Sequence, residues 1–265
     1  MFNLIHAELF KLRKSAGLKV GLIASTLCAI GLAMISHNIA IGTIGEEVIA
    51  NASGLSEVMM ISLLGSLMAG ILVCSDFETK TIHDSVACGN GRGNIVFSKF
   101  LVYVLIIGML MIPYIIVTLI GFSTSTEFAK SFNVSVFANI MSESSTIGVS
   151  AESIGKIISI SLVEILVYVA RLSICILIAF KARKTMVVMG IGFTLSGLVD
   201  LLIGLVDDIP GVSKIISMTP FYREYMLINM DTEVGTLLKI ALISIVFILV
   251  IALITYKLFK RAEIK

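Results

Sequence analysis

Residues 57–121 hold two long apolar runs, EVMMISLLGSLMAGILVCS (57–75) and LVYVLIIGMLMIPYIIVTLIG (101–121), separated by the polar segment DFETKTIHDSVACGNGRGNIVFSKF (76–100). An uncharged apolar run of about 18 residues or more is long enough to cross the hydrocarbon of a bilayer as a helix. A helix also satisfies its backbone hydrogen bonds internally, as hydrocarbon requires. This stretch therefore predicts two membrane-spanning helices joined by a polar connection.

The whole chain has the composition of an integral membrane protein. Of its 265 residues, 57% are hydrophobic and 14% are charged, and the mean hydropathy is +1.05. A soluble domain carries about a quarter charged residues. We predict an all-α polytopic membrane protein with one transmembrane domain over residues 1–265, because the alternation typical of a membrane β-barrel is absent. The six predicted spans lie at about 17–36, 57–75, 100–121, 156–180, 185–206 and 235–259.

Lysine and arginine concentrate on one side of this arrangement. Fourteen of the 20 basic residues lie near the chain termini or in segments 76–99 and 181–184, five lie toward the other side, and Arg171 lies within a span. The positive-inside rule places the richer side in the cytosol. We expect a multi-pass protein of a bacterial cell (plasma) membrane with both termini cytosolic.

The N-terminal segment, residues 1–16, precedes the first span. Phe2, Ile5, Leu9 and Leu12 recur at helical spacing among polar and basic residues. This pattern predicts an amphipathic interfacial helix whose apolar face is turned to the bilayer. The alternative is a helical extension of the first span.

Two predicted outer segments, 122–155 and 207–235, are longer than simple connections need to be. The second contains two prolines and several apolar and aromatic residues. This composition predicts short outer helices that re-enter the interface before span six.

The polar segment between spans two and three predicts a short helix. Thr81 and Asp84 have the spacing of a capping box, and Gly89 stands where a left-handed residue would end the helix. We predict a helix at about 82–88, roughly two turns long.

The residues that follow predict the start of the next span. Gly93 or Asn94 would cap that span, and Lys99 would snorkel at the membrane boundary. A capped helix held outside the membrane suits docking to another protein. The alternative is an interfacial cap that rests on the bilayer.

The segment resembles the connection between spans two and three of type-2 ABC-transporter permeases, where an aromatic–Glu pair is followed by Gly-Thr, an Arg and a Lys before the next span. The opening HAELFKLRKS (6–15) is similar to the family's N-terminal Glu-x-x-Lys signature. Within the family, the chain resembles permeases for bacitracin and lantibiotic self-protection. It departs at Lys80, where the family usually has Gly. The matching residues are Phe77, Glu78, Thr81, Arg92 and Lys99.

This resemblance implies a permease subunit of an ABC exporter that moves an amphipathic peptide or lipid-like substrate. Helix 82–88 would be the coupling helix, seated in a cleft of a separate ATPase subunit that binds ATP and Mg. A second permease subunit, identical or paralogous, would complete the transporter. The implied ATPase-coupling residues are Phe77, Glu78, Thr81, Ile82, His83, Asp84, Ser85, Val86 and Arg92.

Two charged residues of the segment have more than one interpretation. Glu78 and Arg92 would stabilise the polar segment by forming an ion pair, or they would contact the ATPase directly. For Arg92, anchoring of the cytosolic side by its positive charge is a further alternative.

The sequence contains no motif of a catalytic, metal or nucleic-acid site. It lacks the phosphate-binding G-x-x-x-x-G-K-[ST] pattern, and its glycines at 89–93 do not follow a strand. The three histidines are far apart, the four cysteines form no C-x-x-C pair, and no basic block indicates nucleic acid. We predict no enzyme activity, no directly bound cofactor and no metal.

Three ionisable residues lie inside predicted spans: Glu164, Arg171 and Asp200. Charges there cost several kcal/mol unless they are paired or hydrated. Glu164 and Arg171 lie about 10 Å apart along one helix, so that Arg171 would meet a carboxylate elsewhere. These three residues would either form ion pairs that stabilise the packed helices or contact the substrate.

Two other functional classes stay open from the residues alone. An ion-coupled secondary transporter would use Glu164, Arg171 and Asp200 at mid-membrane. A non-transporting sensor or scaffold would use the helices for assembly only. The capped polar helix favours the permease.

Overall fold

The computed structural model describes residues 2–48, 53–124, 126–129, 135–143, 150–206, 212–222, 225 and 228–261, and this part of the chain is all-helical with no strand. Five helices are long and apolar enough to cross a membrane. The helices are α1 (Phe2–Lys14), α2 (Ala16–Ala40), α3 (Glu57–Glu78), α4 (Thr81–Ala87), α5 (Arg92–Ser123), α6 (Val136–Ser142), α7 (Ala151–Ala182), α8 (Thr185–Val206), α9 (Val212–Ile216) and α10 (Val234–Arg261).

The five long apolar helices contain five of the six predicted spans. These helices are α2, α3, α5, α7 and α10. The predicted span 185–206 is helix α8, whose apolar described part, Thr185–Val199, is shorter than the others. Helix α5 begins at Arg92, before the predicted start at 100. Of the polar residues in this added part of the helix, Ser98 and Lys99 are buried.

The helices form a bundle with α3, α5 and α7 at its centre. Helix α7 packs against α3, α5, α8 and α10, and α5 also contacts α1 and α2. Large apolar side chains are exposed along the outer helices, as expected for a surface that faces lipid. On α10 these exposed residues are Leu238, Leu242, Val246, Leu249 and Leu253.

Small residues permit the closest helix contacts. A Cβ added at Gly65 of α3 would lie 2.6 Å from Leu172 Cδ1 of α7. A Cβ at Gly192 of α8 would lie 2.6 Å from Cys175 Sγ and 2.7 Å from Ser66 Cβ. The small residues at these two positions therefore serve packing within the chain.

Helix α1 lies within the predicted N-terminal segment, and apolar residues of its predicted lipid-facing side are turned to the bundle. Ser15 is extended (φ −65°, ψ 125°) and separates α1 from α2, so α1 is no extension of the first span. Ile5 and Leu12 are buried in the bundle, Glu8 lies buried between them, and Phe10 is exposed. The expectation that this face meets lipid is wrong, because Glu8 pairs with a buried cation described below.

The predicted outer segments contain short helices α6 and α9, and parts of both segments lie outside the described residues. Ser135 caps α6 by accepting a hydrogen bond from the Ala138 N–H at 3.1 Å. The Phe221 ring lies 5.9 Å from that of Phe247, about 20 Å along α10 from its start. Phe221 of the second segment therefore packs against the side of α10.

Candidate functional site

The start of α4 differs from the predicted capping box. Lys80 precedes the helix in the left-handed region (φ 58°, ψ 10°), and no side chain caps the helix there. Thr81 is the first helical residue, and its hydroxyl donates to Asp76 Oδ1 at 3.0 Å. The capping box is wrong because Lys80 makes the turn and Asp76 engages the Thr81 hydroxyl. The left-handed turn lies where the resembling family usually has Gly, the residue that adopts it without a steric cost.

The end of α4 follows the prediction. Gly89 is left-handed (φ 81°), and its N–H donates to the Val86 carbonyl at 3.0 Å. The Asn90 N–H donates to the Ser85 carbonyl at 3.3 Å. These two bonds form a Schellman motif, which satisfies carbonyls at the helix end.

Helix α4 has one buried and one exposed face. Ile82 is 1% exposed and joins the hydrophobic core. His83, Ser85 and Val86 are half-buried. Asp84, Ala87 and Cys88 are exposed, as are Glu78, Thr79 and Lys80 before the helix.

Phe77 and Arg92 tie the segment to the end of α10. The Phe77 ring meets those of Phe180 and Phe259 edge-on, at 6.0 and 6.4 Å. Arg92 Nη1 donates to the carbonyls of Phe259 and Lys260, both at 2.8 Å. A cation at a helix C-terminus is favourable for the exposed carbonyls and for the helix dipole.

The predicted ion pair of Glu78 and Arg92 is not formed. In the described part of the chain no ion pair joins these two residues. Glu78 is exposed at the end of α3, whereas the Arg92 guanidinium lies over the Phe259 ring, 5.5 Å from its centre. Arg92 therefore joins α5 to α10.

Lys99 is buried and does not snorkel as predicted. Its side chain is 1% exposed. Its Nζ donates to Glu8 Oε2 at 2.7 Å, to the Leu72 carbonyl at 2.8 Å and to Asp76 Oδ2. Lys11 also reaches Asp76, at 3.0 Å. The three donors of the ammonium are thus all used, so that Lys99 needs no contact with water.

We call Glu8, Lys11, Asp76 and Lys99 the ionic cluster. Its formal charges cancel, and it joins α1, α3 and α5. Because Thr81 donates to Asp76 as well, α4 is linked to the same cluster. A cavity of about 250 Å³ adjoins it between α1 and α3.

Sequence reasoning missed Glu8 and Asp76 as partners of Lys99, and Lys11 as a second cation beside Asp76. The available signal was the position of Glu8 on the same helix face as Ile5 and Leu12. A carboxylate on an apolar face indicates a buried cation, since an unpaired buried charge is costly.

Two of the three ionisable residues within predicted spans can be placed by their side chains. Glu164 and Arg171 are both buried, and no ion pair joins them in the described residues. The Arg171 guanidinium lies over the Phe221 ring, 5.4 Å from its centre. It also lines a small cavity between α7 and α8. The side chain of Asp200 lies outside the described residues.

A further buried carboxylate, Glu57, begins α3 and was also missed. Its side chain accepts hydrogen bonds from Ser135 Oγ at 2.5 Å and from the Phe137 N–H at 3.4 Å. Glu57 therefore holds the start of α6 against the bundle. The sequence shows Glu57 only as the polar residue that begins an apolar run.

In comparisons with known proteins, no family model matches the chain and no curated protein matches it.

Proposed function

We propose that this chain is the permease subunit of an ATP-driven exporter of the type-2 ABC class, in the cell membrane of a bacterium. Helices α2, α3, α5, α7, α8 and α10 are the six spans, and both chain termini are cytosolic. Two permease subunits, identical or paralogous, bind two ATPase subunits that supply ATP and Mg. The substrate is an amphipathic peptide or a lipid-like molecule, a class that follows from the family resemblance.

The observation that carries this proposal is the construction of α4. A helix this short is marginal in water on its own. Here Ile82 fastens it to the core, the Thr81–Asp76 bond holds its start, and the Schellman motif closes its end. A helix formed in advance loses little conformational entropy when a partner binds its exposed face. The contact face in this proposal is Asp84, Ala87 and Cys88.

The connections of α4 support transmission of force to the spans. Through Asp76, α4 is linked to the ionic cluster and hence to α1, α3 and α5. Through Arg92, the start of α5 is bonded to the end of α10. Movement of an ATPase bound at α4 would therefore act on several spans together.

Purification of the tagged chain from its native membranes tests the proposal. We expect an ATPase with a Walker motif to co-purify with the wild-type chain. Asp84→Arg combined with Ala87→Arg should abolish this association, because the exposed face of α4 then carries two new cations and a bulkier surface. Glu152→Arg, an exposed change at the start of α7, is the matched control and should leave it intact. Unchanged association of the α4 variant would overturn the proposal.

A second candidate function is an ion-coupled secondary transporter. It is favoured by the burial of Glu164 and Arg171 within α7. This function is distinguished from the exporter by its energy source. The chain alone in proteoliposomes would transport its substrate in response to an ion gradient, without ATP. The construction of α4 has no role in that mechanism, so the exporter is the preferred proposal.

A further inference from the structure

Glu164 is a buried carboxylate without a hydrogen-bond partner in the part of the chain that the structure describes. It lies near the middle of α7, and its side chain is fully enclosed at 0% exposure. Both carboxylate oxygens lack a hydrogen-bond partner among the described residues. Other buried acids of the chain are engaged: Asp76 contacts two lysines, and Glu57 accepts two hydrogen bonds.

Two charged groups act on Glu164 from a distance. They are Glu57, on α3, and Arg171, on α7 itself. Glu57 is a like charge when it is ionised, whereas Arg171 is an opposite charge. Arg171 lies about 10 Å along the helix axis and forms no ion pair with Glu164 in the described residues. The nearest titratable group on the same helix face is Tyr168, which is also buried.

An ionised Glu164 would therefore be an uncompensated charge in the bundle. Removing such a charge from water costs several kcal/mol, and a group in this position becomes neutral instead. A neutral carboxylic acid avoids both the desolvation of an anion and its repulsion by Glu57.

We propose that Glu164 is a proton-binding site at the centre of the bundle, occupied by a proton in this conformation. The ligand is the proton itself, held on one carboxyl oxygen. A conformation that admits water to Glu164 favours the anion and releases the proton. The equilibrium between two such conformations then depends on pH through this residue. The proposal involves neither α4 nor an ATPase. Its test is therefore independent of the test of the exporter.

Modification by dicyclohexylcarbodiimide tests the occupancy of the site. This apolar reagent reacts with protonated carboxyl groups in apolar surroundings. The acid proton moves to a carbodiimide nitrogen, the carboxyl oxygen bonds to the central carbon, and the adduct rearranges to a stable N-acylurea without loss of atoms. We expect the purified full-length chain in lipid nanodiscs to carry one adduct at neutral pH, mapped to Glu164 by peptide mass spectrometry.

An exposed carboxylate and a variant of the same shape are the controls. Glu152 is exposed on α7 and should react only with a water-soluble carbodiimide and an added amine. Glu164→Gln keeps the shape of the side chain and should remove the adduct.

Raising the pH gives a second readout on the wild-type protein alone. Labelling of Glu164 should fall as the solution becomes alkaline, because the anion does not react. Labelling of Glu164 that does not fall as the pH rises would overturn the proposal. Since both readouts are mapped on wild-type protein, they do not depend on the folding of Glu164→Gln.

Discussion

Lys99 illustrates how one side chain organises several helices. Lys99 lies on α5. Its ammonium group donates hydrogen bonds to Glu8 of α1, to Asp76 of α3 and to the Leu72 carbonyl. A buried ammonium is tolerated only when each donor is used and opposite charges are at hand. At the residue scale, the ionic cluster is therefore a set of mutually dependent charges.

Replacement of Lys99 by methionine tests this dependence. Lys99→Met keeps much of the side-chain volume but leaves the carboxylates of Glu8 and Asp76 without the buried cation. We expect a loss of stability of about 3–5 kcal/mol, the usual cost of breaking a buried ion pair from one side. The measurement is thermal unfolding of the purified chain in detergent. Unfolding is monitored with a thiol-reactive probe, because the chain contains no tryptophan.

Two further variants are controls for the ionic cluster. Lys19→Met changes an exposed lysine of α2 and should leave the unfolding temperature unchanged. The triple change Glu8→Gln, Asp76→Asn and Lys99→Met removes the charges together and should recover much of the stability lost by Lys99→Met. Equal stability of Lys99→Met and wild type would show that the ionic cluster contributes nothing.

At the scale of elements, close contact between α3, α7 and α8 depends on residues that have little or no side chain. Gly192 faces Cys175 of α7 and Ser66 of α3. Ser62 of α3 and Ser196 of α8 share a hydrogen bond at 2.9 Å. Helices in a membrane associate through such packing and polar contacts, because lipid is as apolar as their side chains.

Gly190 and Gly192 provide a matched pair on α8. A Cβ at Gly190 meets nothing within 4 Å, whereas one at Gly192 meets Cys175 and Ser66 at less than 3 Å. We expect Gly192→Val to lower stability by about 1–3 kcal/mol through overpacking, and Gly190→Val to have little effect. Both are measured by thermal unfolding in the same detergent, and similar losses from the two variants would contradict this packing of α8.

At the scale of the whole molecule, the proposed orientation can be tested with a native cysteine. Cys28, Cys74 and Cys175 are buried, and Cys88 is exposed at the end of α4. With both termini cytosolic, Cys88 faces the cytosol. A membrane-impermeant maleimide should then label Cys88 in inverted vesicles from cells that express this chain alone, and not in intact cells.

The control for this labelling is Cys88→Ser, which should abolish it in inverted vesicles. Denaturation of wild-type protein in dodecyl sulfate should expose all four cysteines to the reagent, as counted by intact mass. Labelling of Cys88 from outside intact cells would reverse the proposed orientation and remove α4 from the reach of a cytosolic ATPase.

The features that the sequence determined by itself are those set by local physics. Long apolar runs predicted the helices, because hydrocarbon and helix geometry impose the same length on each span. Gly89 predicted the end of α4, because left-handed backbone geometry is local and favours glycine. Both predictions required no knowledge of distant contacts.

Only the tertiary structure decided the partners of the buried charges. The expectations for Lys99 and for the apolar face of α1 failed for one reason: Glu8 and Lys99 lie far apart in sequence but meet in the bundle. The same holds for Arg92, which bonds α10 and not Glu78, and for Glu164, whose lack of a partner is a property of the packed interior. The energy of a buried charge depends on what surrounds it in space, and sequence spacing does not specify those surroundings.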